Sequence, residues 1–225
     1  LDDDGKLACR RCGAVRPPVC QECGASRFAN LRPGVTRLRE ELEAAANRSV
    51  VSVTGHDAGT PPPAGVYVGT EAVLHRVPHA DVVAFLEFDS ELLAPRFRAA
   101  EQSMALIIRA ARMAPEVLVQ TFSPHHEFIA AIASGDPGSL VESERARRRL
   151  LSLPPFGALA LVSGTGAVEV AEQVASAPGV DVGDTGTGNR FLVRAGDWTA
   201  LGRALNSAER PPGARVRIEV DPPRV

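Results

Sequence analysis

Long apolar runs are absent from this sequence. Although 44% of its 225 residues are hydrophobic, no stretch approaches the roughly 18 consecutive apolar residues of a membrane span. The basic, apolar and small-residue order of a secretory signal is also absent. These absences predict a cytoplasmic protein that does not enter the membrane. Because the chain begins with Leu1 rather than methionine, we expect an engineered chain, a processed product or a fragment whose N-terminal part lies upstream.

Aromatic residues and lysine are scarce. Aromatics make up 4% of the chain, with one Tyr67 and one Trp198, so the stacking platforms of single-strand-binding proteins are not visible. Lys6 is the only lysine among 25 basic residues, and the net charge is -2. Arginine suits phosphate through its planar fork of donors, but composition alone does not decide whether it is used in that way.

The four cysteines form two Cys-x-x-Cys pairs in CRRCGAVRPPVCQEC, with seven residues between the pairs. In a reducing compartment, such spacing indicates metal ligands rather than disulfides. Two tight turns supply a tetrahedral thiolate set, so the sequence predicts a structural zinc bound by Cys9, Cys12, Cys20 and Cys23. A redox pair is the alternative, and it is disfavoured because neither pair follows a strand and opens a helix.

Between the cysteines and residue 152, apolar runs alternate with helical patterns. The runs are apolar on both faces, as in parallel strands that are covered by helices on each side. This pattern predicts a doubly wound α/β layer. The expected strands are 50–54, 66–70, 81–88 and 117–121, and the expected helices are 36–47, 94–113, 125–133 and 140–151.

A second pattern follows the break at Pro154-Pro155. Strand, helix, two strands, helix and strand follow one another from residue 158 to residue 220, which is the order of the split ferredoxin-like arrangement. We therefore expect a separate C-terminal α/β domain.

Several collinear stretches resemble one family, the primosomal protein N-prime family of replication-restart helicases. The stretches are LACRRCGAVRPPVCQECGASRFANLRPGVTRLREELE, VYVGTEAVLHRVPHADVVAFLEFDSELLAPRFRAAEQ, VLVQT with SPHHE, ERARRRLLSLPPFGALALV and VRIEVDPP. The resemblance covers nearly the whole chain and matches the C-terminal portion of the family. It implies a zinc-knuckle region at 1–30, a RecA-like second helicase lobe with a parallel sheet at 31–152, and the ferredoxin-like domain at 153–225.

The departures from the family concern the helicase motor. Active members continue the Gly-Thr turn into a Lys-Gly segment, whereas this chain has Gly69-Thr70-Glu71-Ala72. Active members also carry a Gln-x-x-Gly-Arg-x-Gly-Arg motif whose arginines reach the γ-phosphate. The corresponding stretch, 106–113, has no glycine. No Gly-x-x-x-x-Gly-Lys-[Ser/Thr] loop occurs. The resemblance is therefore closest to a degenerate, actinobacterial-type branch without helicase motifs, and ATP binding stays open.

The resemblance also qualifies the zinc prediction. Longer relatives carry two further cysteine pairs, and the four pairs interleave around two zinc ions. By this analogy, Cys9 and Cys12 would share one zinc with an upstream cysteine pair. Cys20 and Cys23 would share a second zinc with the other upstream pair. In the chain given, the four cysteines close one site together, bind metal incompletely or stay empty.

Two groups of arginines are the candidate DNA contacts. One lies in the basic stretch 145–149, which is also typical of a solvated helix face, and the other lies beyond residue 189. Arginines at such positions bind phosphate with a salt-dependent affinity. The predicted contacts are Arg145, Arg148, Arg190, Arg194, Arg215 and Arg217.

The function that the resemblance implies is replication restart. We expect a protein that binds stalled or branched forks, contacts other primosome and replisome proteins, and helps to load the replicative helicase without unwinding DNA itself. One alternative is an active ATP-dependent helicase whose motor motifs lie upstream. The other is a zinc-ribbon interaction module that does not bind nucleic acid.

Overall fold

A computed structural model describes residues 5–8, 15–26, 34–57, 59–94, 96–186 and 188–223. The chain forms two compact units. We call residues 28–95 and 99–135 the parallel-sheet unit, and residues 1–27, 96–98 and 136–225 the antiparallel-sheet unit. Residues 136–152 thus lie in the same unit as residues 153–225. In the described part of the chain, no helix is long and apolar enough to cross a membrane.

The parallel-sheet unit contains two pairs of parallel strands. Strand β3 pairs with β4, placing Val53 beside Gly69, and β5 pairs with β6, placing Ala84 beside Leu118. The elements in order are α1 (Val35–Ala46), β3 (Val51–Val53), β4 (Tyr67–Gly69), α2 (Val73–Arg76), β5 (Val82–Phe85), α3 (Asp89–Leu92), α4 (Ala99–Met113), β6 (Glu116–Val119) and α5 (Glu127–Ser134).

The sequence prediction of one continuous four-stranded layer is wrong for the described residues, because no backbone ladder joins the two pairs. The pairs meet instead through side chains. Tyr67 of β4 and Val83 and Phe85 of β5 pack against one cluster, whose buried members include Ala110 and Met113 of α4. The unit is therefore α/β with small parallel sheets.

Two helix starts differ from the sequence prediction. The helix expected from residue 94 begins at Ala99, and α3 is separate from it. A proline at position 95 explains the separation, since it has no N–H for an intrahelical bond. The helix expected at 125–133 begins at Glu127 and not after Ser123-Pro124. His126 is its N-cap, because its Nδ1 accepts the N–H of Phe128 at 3.1 Å.

The antiparallel-sheet unit has a four-stranded sheet of order β10-β7-β9-β8, with every neighbouring pair antiparallel. This order confirms the predicted strand–helix–strand–strand–helix–strand pattern. Its elements are β1 (Leu7–Ala8), β2 (Val15–Arg16), a 3₁₀ turn (Pro137–Leu140), α6 (Val141–Leu150), β7 (Ala158–Ser163), α7 (Ala167–Ala175), β8 (Val180–Asp184), β9 (Arg190–Ala195), α8 (Trp198–Ser207) and β10 (Arg217–Val220).

The core of this unit lies between the sheet and helices α7 and α8. Ala158, Ala160 and Val162 of β7 are at most 1% exposed and belong to one cluster with Val170 and Leu201 of the helices. Side chains alternate between the two faces of a strand. The residues between them on β7, Leu159 and Leu161, therefore lie on the sheet face away from α7 and α8, which we call the second face. They are 1% and 2% exposed, so the middle of this face is also covered.

Candidate nucleic-acid interface and zinc knuckle

The two candidate arginines on α6 differ in accessibility. Arg145 is 55% exposed and lies 3.7 Å from the Glu142 carboxylate. The side chain of Arg148 is only 14% exposed. Its guanidinium donates to Glu144 at 2.7 Å and to the Pro154 carbonyl at 3.4 Å. It also lies 5.6 Å from the centre of the Phe97 ring. Arg148 therefore stabilises the end of α6, and Arg145 is the arginine that a ligand reaches.

Strand register places the arginines of β9 and β10 on the second face. Phe191, Val193 and Ala195 of β9 belong to the helix-covered core. Arg190 and Arg194 alternate with them and so lie on the opposite side. Arg190 is beside Ser163 of β7, and Ser163 is beside Arg217 of β10. Arg190 and Arg217 thus flank one serine, roughly 10 Å apart across two strand spacings.

Arg190 and Arg217 differ in their partners. Arg217 is 76% exposed and forms an ion pair with Glu219 of its own strand at 2.5 Å. Arg190 is exposed, and no described side chain pairs with its guanidinium. The negative charge of Glu219 offsets part of the charge of Arg217, so Arg190 offers the more available positive charge.

Arg215 lies at the same end of the sheet. Its N–H donates to Thr165 Oγ1 at 2.9 Å, and its carbonyl accepts the Gly166 N–H at 3.3 Å. Gly164 permits this approach, because it has φ +114° and a Cβ there would lie 2.2 Å from the Arg215 oxygen. The turn at 164–166 thus fixes the backbone of an exposed arginine. We call Arg190, Arg215 and Arg217 the sheet-end arginines.

Arg194 lies four residues after Arg190 on β9, away from the sheet-end arginines. It is beside Leu159 of β7 and Asp181 of β8, and its guanidinium donates to the Leu151 carbonyl at 2.9 Å. The structure therefore brings together three of the six predicted contacts. Arg194 and Arg148 make contacts within the unit, and Arg145 lies on α6.

Two of the four predicted zinc ligands, Cys9 and Cys12, lie outside the described residues. The other pair forms a tight turn in which the Cys20 N–H donates to the Ala25 carbonyl at 2.8 Å and the Gly24 N–H donates to the Cys20 carbonyl at 3.0 Å. Gly24 has φ +69°, which a glycine adopts without strain.

The Cys20 sulfur is surrounded by donors. Backbone N–H groups of Cys23 and Glu22, the Cys23 thiol and the positive charge of Arg16 lower the pKa of the Cys20 thiol. Zinc binds thiolates, so this turn fits a metal ligand. Within the described ranges, no group of three or more His, Cys, Asp or Glu side chains is placed to hold a metal. The four-cysteine site stays a prediction.

The helicase-like segments also have defined geometry. The 106–113 stretch is continuous helix within α4, and its Arg109 and Arg112 are exposed on that helix. In the Gly69-Thr70 turn, a Cβ on Gly69 would lie 1.8 Å from the Val53 carbonyl oxygen. Only glycine therefore fits beside β3 at this position.

Two polar clusters were not predicted from the sequence. Arg76 donates to the carbonyls of Thr54, at 3.1 Å, and of Gly59, and lies 3.8 Å from the Asp57 carboxylate. It thereby fixes the loop after β3. The sequence signal that could have indicated this cluster is Arg76 itself, an arginine close to the stretch where the family has its Lys-Gly segment.

The second cluster is centred on Asp89, the first residue of α3. Its carboxylate accepts the Thr121 hydroxyl at 2.5 Å and the Phe122 N–H at 2.6 Å. These bonds join the segments that follow β5 and β6.

Comparisons with known proteins support one family. No family model matches the chain. The replication restart protein PriA of Bacillus subtilis is 28% identical over 186 residues, covering 70% of this chain and 22% of the relative. The PriA of Haemophilus influenzae is 27% identical over 179 residues, 69% of this chain and 24% of the relative. The chain is PriA-like.

A third relative matches a shorter segment at higher identity. The PriA of Treponema pallidum is 33% identical over 99 residues, covering 40% of this chain and 15% of the relative. These findings confirm the resemblance that the motifs indicate. The chain spans less than a quarter of the length of the PriA relatives that it matches.

Proposed function

We propose that this chain is part of a replication restart protein that binds branched DNA at stalled forks. The similarity to PriA proteins supports the restart role. The observation that carries the DNA contact is the grouping of the exposed sheet-end arginines, where Arg190 and Arg217 flank Ser163 at the end of the second face. Three guanidinium groups at one sheet end, with hydroxyls between them, suit the oxygens of a phosphate backbone.

The parallel-sheet unit is proposed to be a RecA-like second lobe that no longer drives unwinding. Parallel strand pairs covered by α4 support this assignment. The position of Arg109 and Arg112 on an unbroken helix supports a silent motor, because an arginine finger must be placed at the developing charge of the transition state.

The zinc knuckle is proposed to hold a structural zinc through Cys9, Cys12, Cys20 and Cys23, or to share two zinc ions with further cysteines of a longer chain. Its role would be to present a surface to other primosome proteins in the cytoplasm. The donors around the Cys20 sulfur support a thiolate there. Binding of ATP without hydrolysis remains compatible with this function.

Binding of fluorescent fork, duplex and single-stranded DNA, measured by anisotropy at increasing salt, tests the proposal. We expect measurable binding at low salt, preference for the fork, and a steep loss of affinity as salt rises. No binding at low salt would support the zinc-ribbon interaction module. ATP hydrolysis, measured with and without fork DNA, distinguishes the proposed restart protein with a silent motor from the active helicase. Robust DNA-stimulated turnover would support the active helicase.

A further inference from the structure

The last strand of the antiparallel-sheet unit has a charge pattern that is antisymmetric about its centre. The segment RVRIEVD, residues 215–221, has basic residues before Ile218 and acidic residues at the matching distances after it. Valines occupy the two positions between them. A two-fold axis through Ile218 would therefore place opposite charges opposite each other and valine opposite valine.

Strand β10 lies at the edge of its sheet. It pairs with β7 on one side, and no described strand pairs with its other side. Arg217 is 76% exposed and Val220 is 58% exposed. An unpaired edge with alternating side chains is a template for another strand.

The backbone of β10 presents the correct groups at this edge. The Asp221 N–H donates to Leu159, and the Arg215 carbonyl accepts from Gly166, so the odd-numbered residues bond inward. In an antiparallel ladder, alternate residues direct their N–H and C=O groups to opposite sides. Ile218 therefore directs both groups outward, as the central residue of a two-fold strand pair must.

We propose that two copies of this chain associate through antiparallel pairing of their β10 edges about Ile218. The contact is isologous, because the same edge is used by both copies. It joins the two four-stranded sheets into one. Across the axis, Arg215 faces the partner's Asp221, Val216 faces the partner's Val220, Arg217 faces the partner's Glu219, and Ile218 faces the partner's Ile218.

The two faces of this pairing are stabilised differently. Val216 and Ile218 pack against the core below the helices, so the apolar pairs extend that core across the axis. On the second face, the Arg217–Glu219 pair at 2.5 Å becomes part of a four-charge network. Asp221 already forms an ion pair with Arg98 at 2.5 Å. The two outermost pairs, in which Arg215 faces the partner's Asp221, therefore contribute least to the stability of the dimer.

The opposite edge of the sheet does not suit self-association. Strand β8, VDVGD, contains Asp181 and Asp184 and no basic residue, so two β8 edges gain no opposite-charge pair. Acidic side chains on an edge also oppose pairing in general. The charge pattern therefore selects the β10 edge for a second copy.

The proposed dimer is weak. A four-residue edge buries far less than the roughly 1,600 Å² of a standard stable interface. We expect dissociation in the micromolar to millimolar range, and weaker association at high salt because exposed ion pairs are screened.

Sedimentation equilibrium without nucleic acid tests the proposal, from about 10 μM to about 1 mM protein. Arg217→Glu and Glu219→Arg each place like charges opposite each other twice, by symmetry. Each variant is expected to dimerise about tenfold more weakly than the wild type. An equimolar mixture of the two variants regains opposite charges in a heterodimer, as does the double variant Arg217→Glu/Glu219→Arg in a homodimer.

Recovery in the mixture shows that the single variants are folded, and far-ultraviolet circular dichroism checks each variant. A wild type that stays monomeric at the highest concentration overturns the proposal. So does a mixture that associates no better than the single variants. Growth beyond dimers would also contradict it, because two-fold pairing consumes the edge and closes the assembly.

Discussion

Replacing two of the sheet-end arginines tests the DNA surface most directly. The double variant Arg190→Gln/Arg215→Gln removes two exposed guanidinium groups and leaves an uncharged polar side chain at each position. Arg217 is left in place because it already pairs with Glu219. Neither replaced side chain belongs to the buried core of the unit, so we expect the fold to be unchanged.

The expected magnitude follows from counterion release. Each phosphate contact contributes about 0.7 for a single strand, or about 0.9 for a duplex, to the slope of log affinity against log salt. Losing two contacts lowers the slope by about 1.4 to 1.8. Between about 50 and about 200 mM salt, the wild type should therefore lose about tenfold more affinity than the double variant.

Fork-DNA anisotropy at four or more salt concentrations measures both slopes. Arg203→Gln is the matched control, because Arg203 is exposed on α8, whose Leu201 and Ala204 pack against the other face of the sheet. The reasoning is refuted if the slope of the double variant equals that of the wild type, or if Arg203→Gln lowers the slope equally.

Three further outcomes are expected. Gly69→Ala should destabilise the parallel-sheet unit by about 2 to 4 kcal/mol in urea unfolding, since its Cβ would meet the Val53 oxygen at 1.8 Å, whereas Gly55→Ala, with no atom within 4 Å, should be close to neutral. The protection factor of the Thr54 amide, whose N–H donates to the Asp57 carboxylate, should fall as pH falls through the pKa of Asp57, which the Thr54 backbone N–H and hydroxyl lower below its usual value. The hydrogen bonds stabilise the charged carboxylate of Asp57, so protection is present above the pKa of Asp57 and lost below it. A protection factor that does not change with pH would contradict the role of Asp57 in holding this loop. Cys20→Ser should reduce bound zinc measured by mass spectrometry, and equal metal content would exclude Cys20 as a ligand.

The elements of the antiparallel-sheet unit were predictable because local signals agree with the tertiary structure. Strand β7 is a continuous, buried apolar run, and it is one of the two central strands, flanked by β10 and β9. Helix α8 begins after Asp197, whose Oδ1 accepts the Ala200 N–H at 2.8 Å, and such a cap is visible in the sequence. Local pattern and long-range packing therefore lead to the same elements.

The joining of the parallel strands was not predictable in the same way. Periodicity shows which runs are strands but not which runs share backbone bonds. Strands β4 and β5 meet through side chains of one cluster and not through a ladder. Helix α3 ends at Leu92 and α4 begins at Ala99, whereas one long helix was predicted from residue 94 although the sequence has a proline at position 95.

The candidate site was only partly predictable. Composition and the basic stretches nominated six arginines, but their grouping depends on register. Arg190 and Arg217 are far apart in the sequence and become neighbours only because Ser163 of β7 lies between them. The burial of Arg148 between Glu144 and Pro154 likewise depends on where α6 ends. Pairings of this kind are tertiary facts that a single sequence does not encode locally.

The strand order β10-β7-β9-β8 has a consequence for synthesis and folding. Strand β7 is the first strand of this sheet to be synthesised, and β10 is the last. The edge of β7 that pairs with β10 therefore has no partner strand until the ribosome has released residues 217–220. During that interval, ALALV of β7 is an exposed, uncharged template for foreign strands. A chain truncated before Arg217 should therefore be kept soluble by chaperones or collect in inclusion bodies.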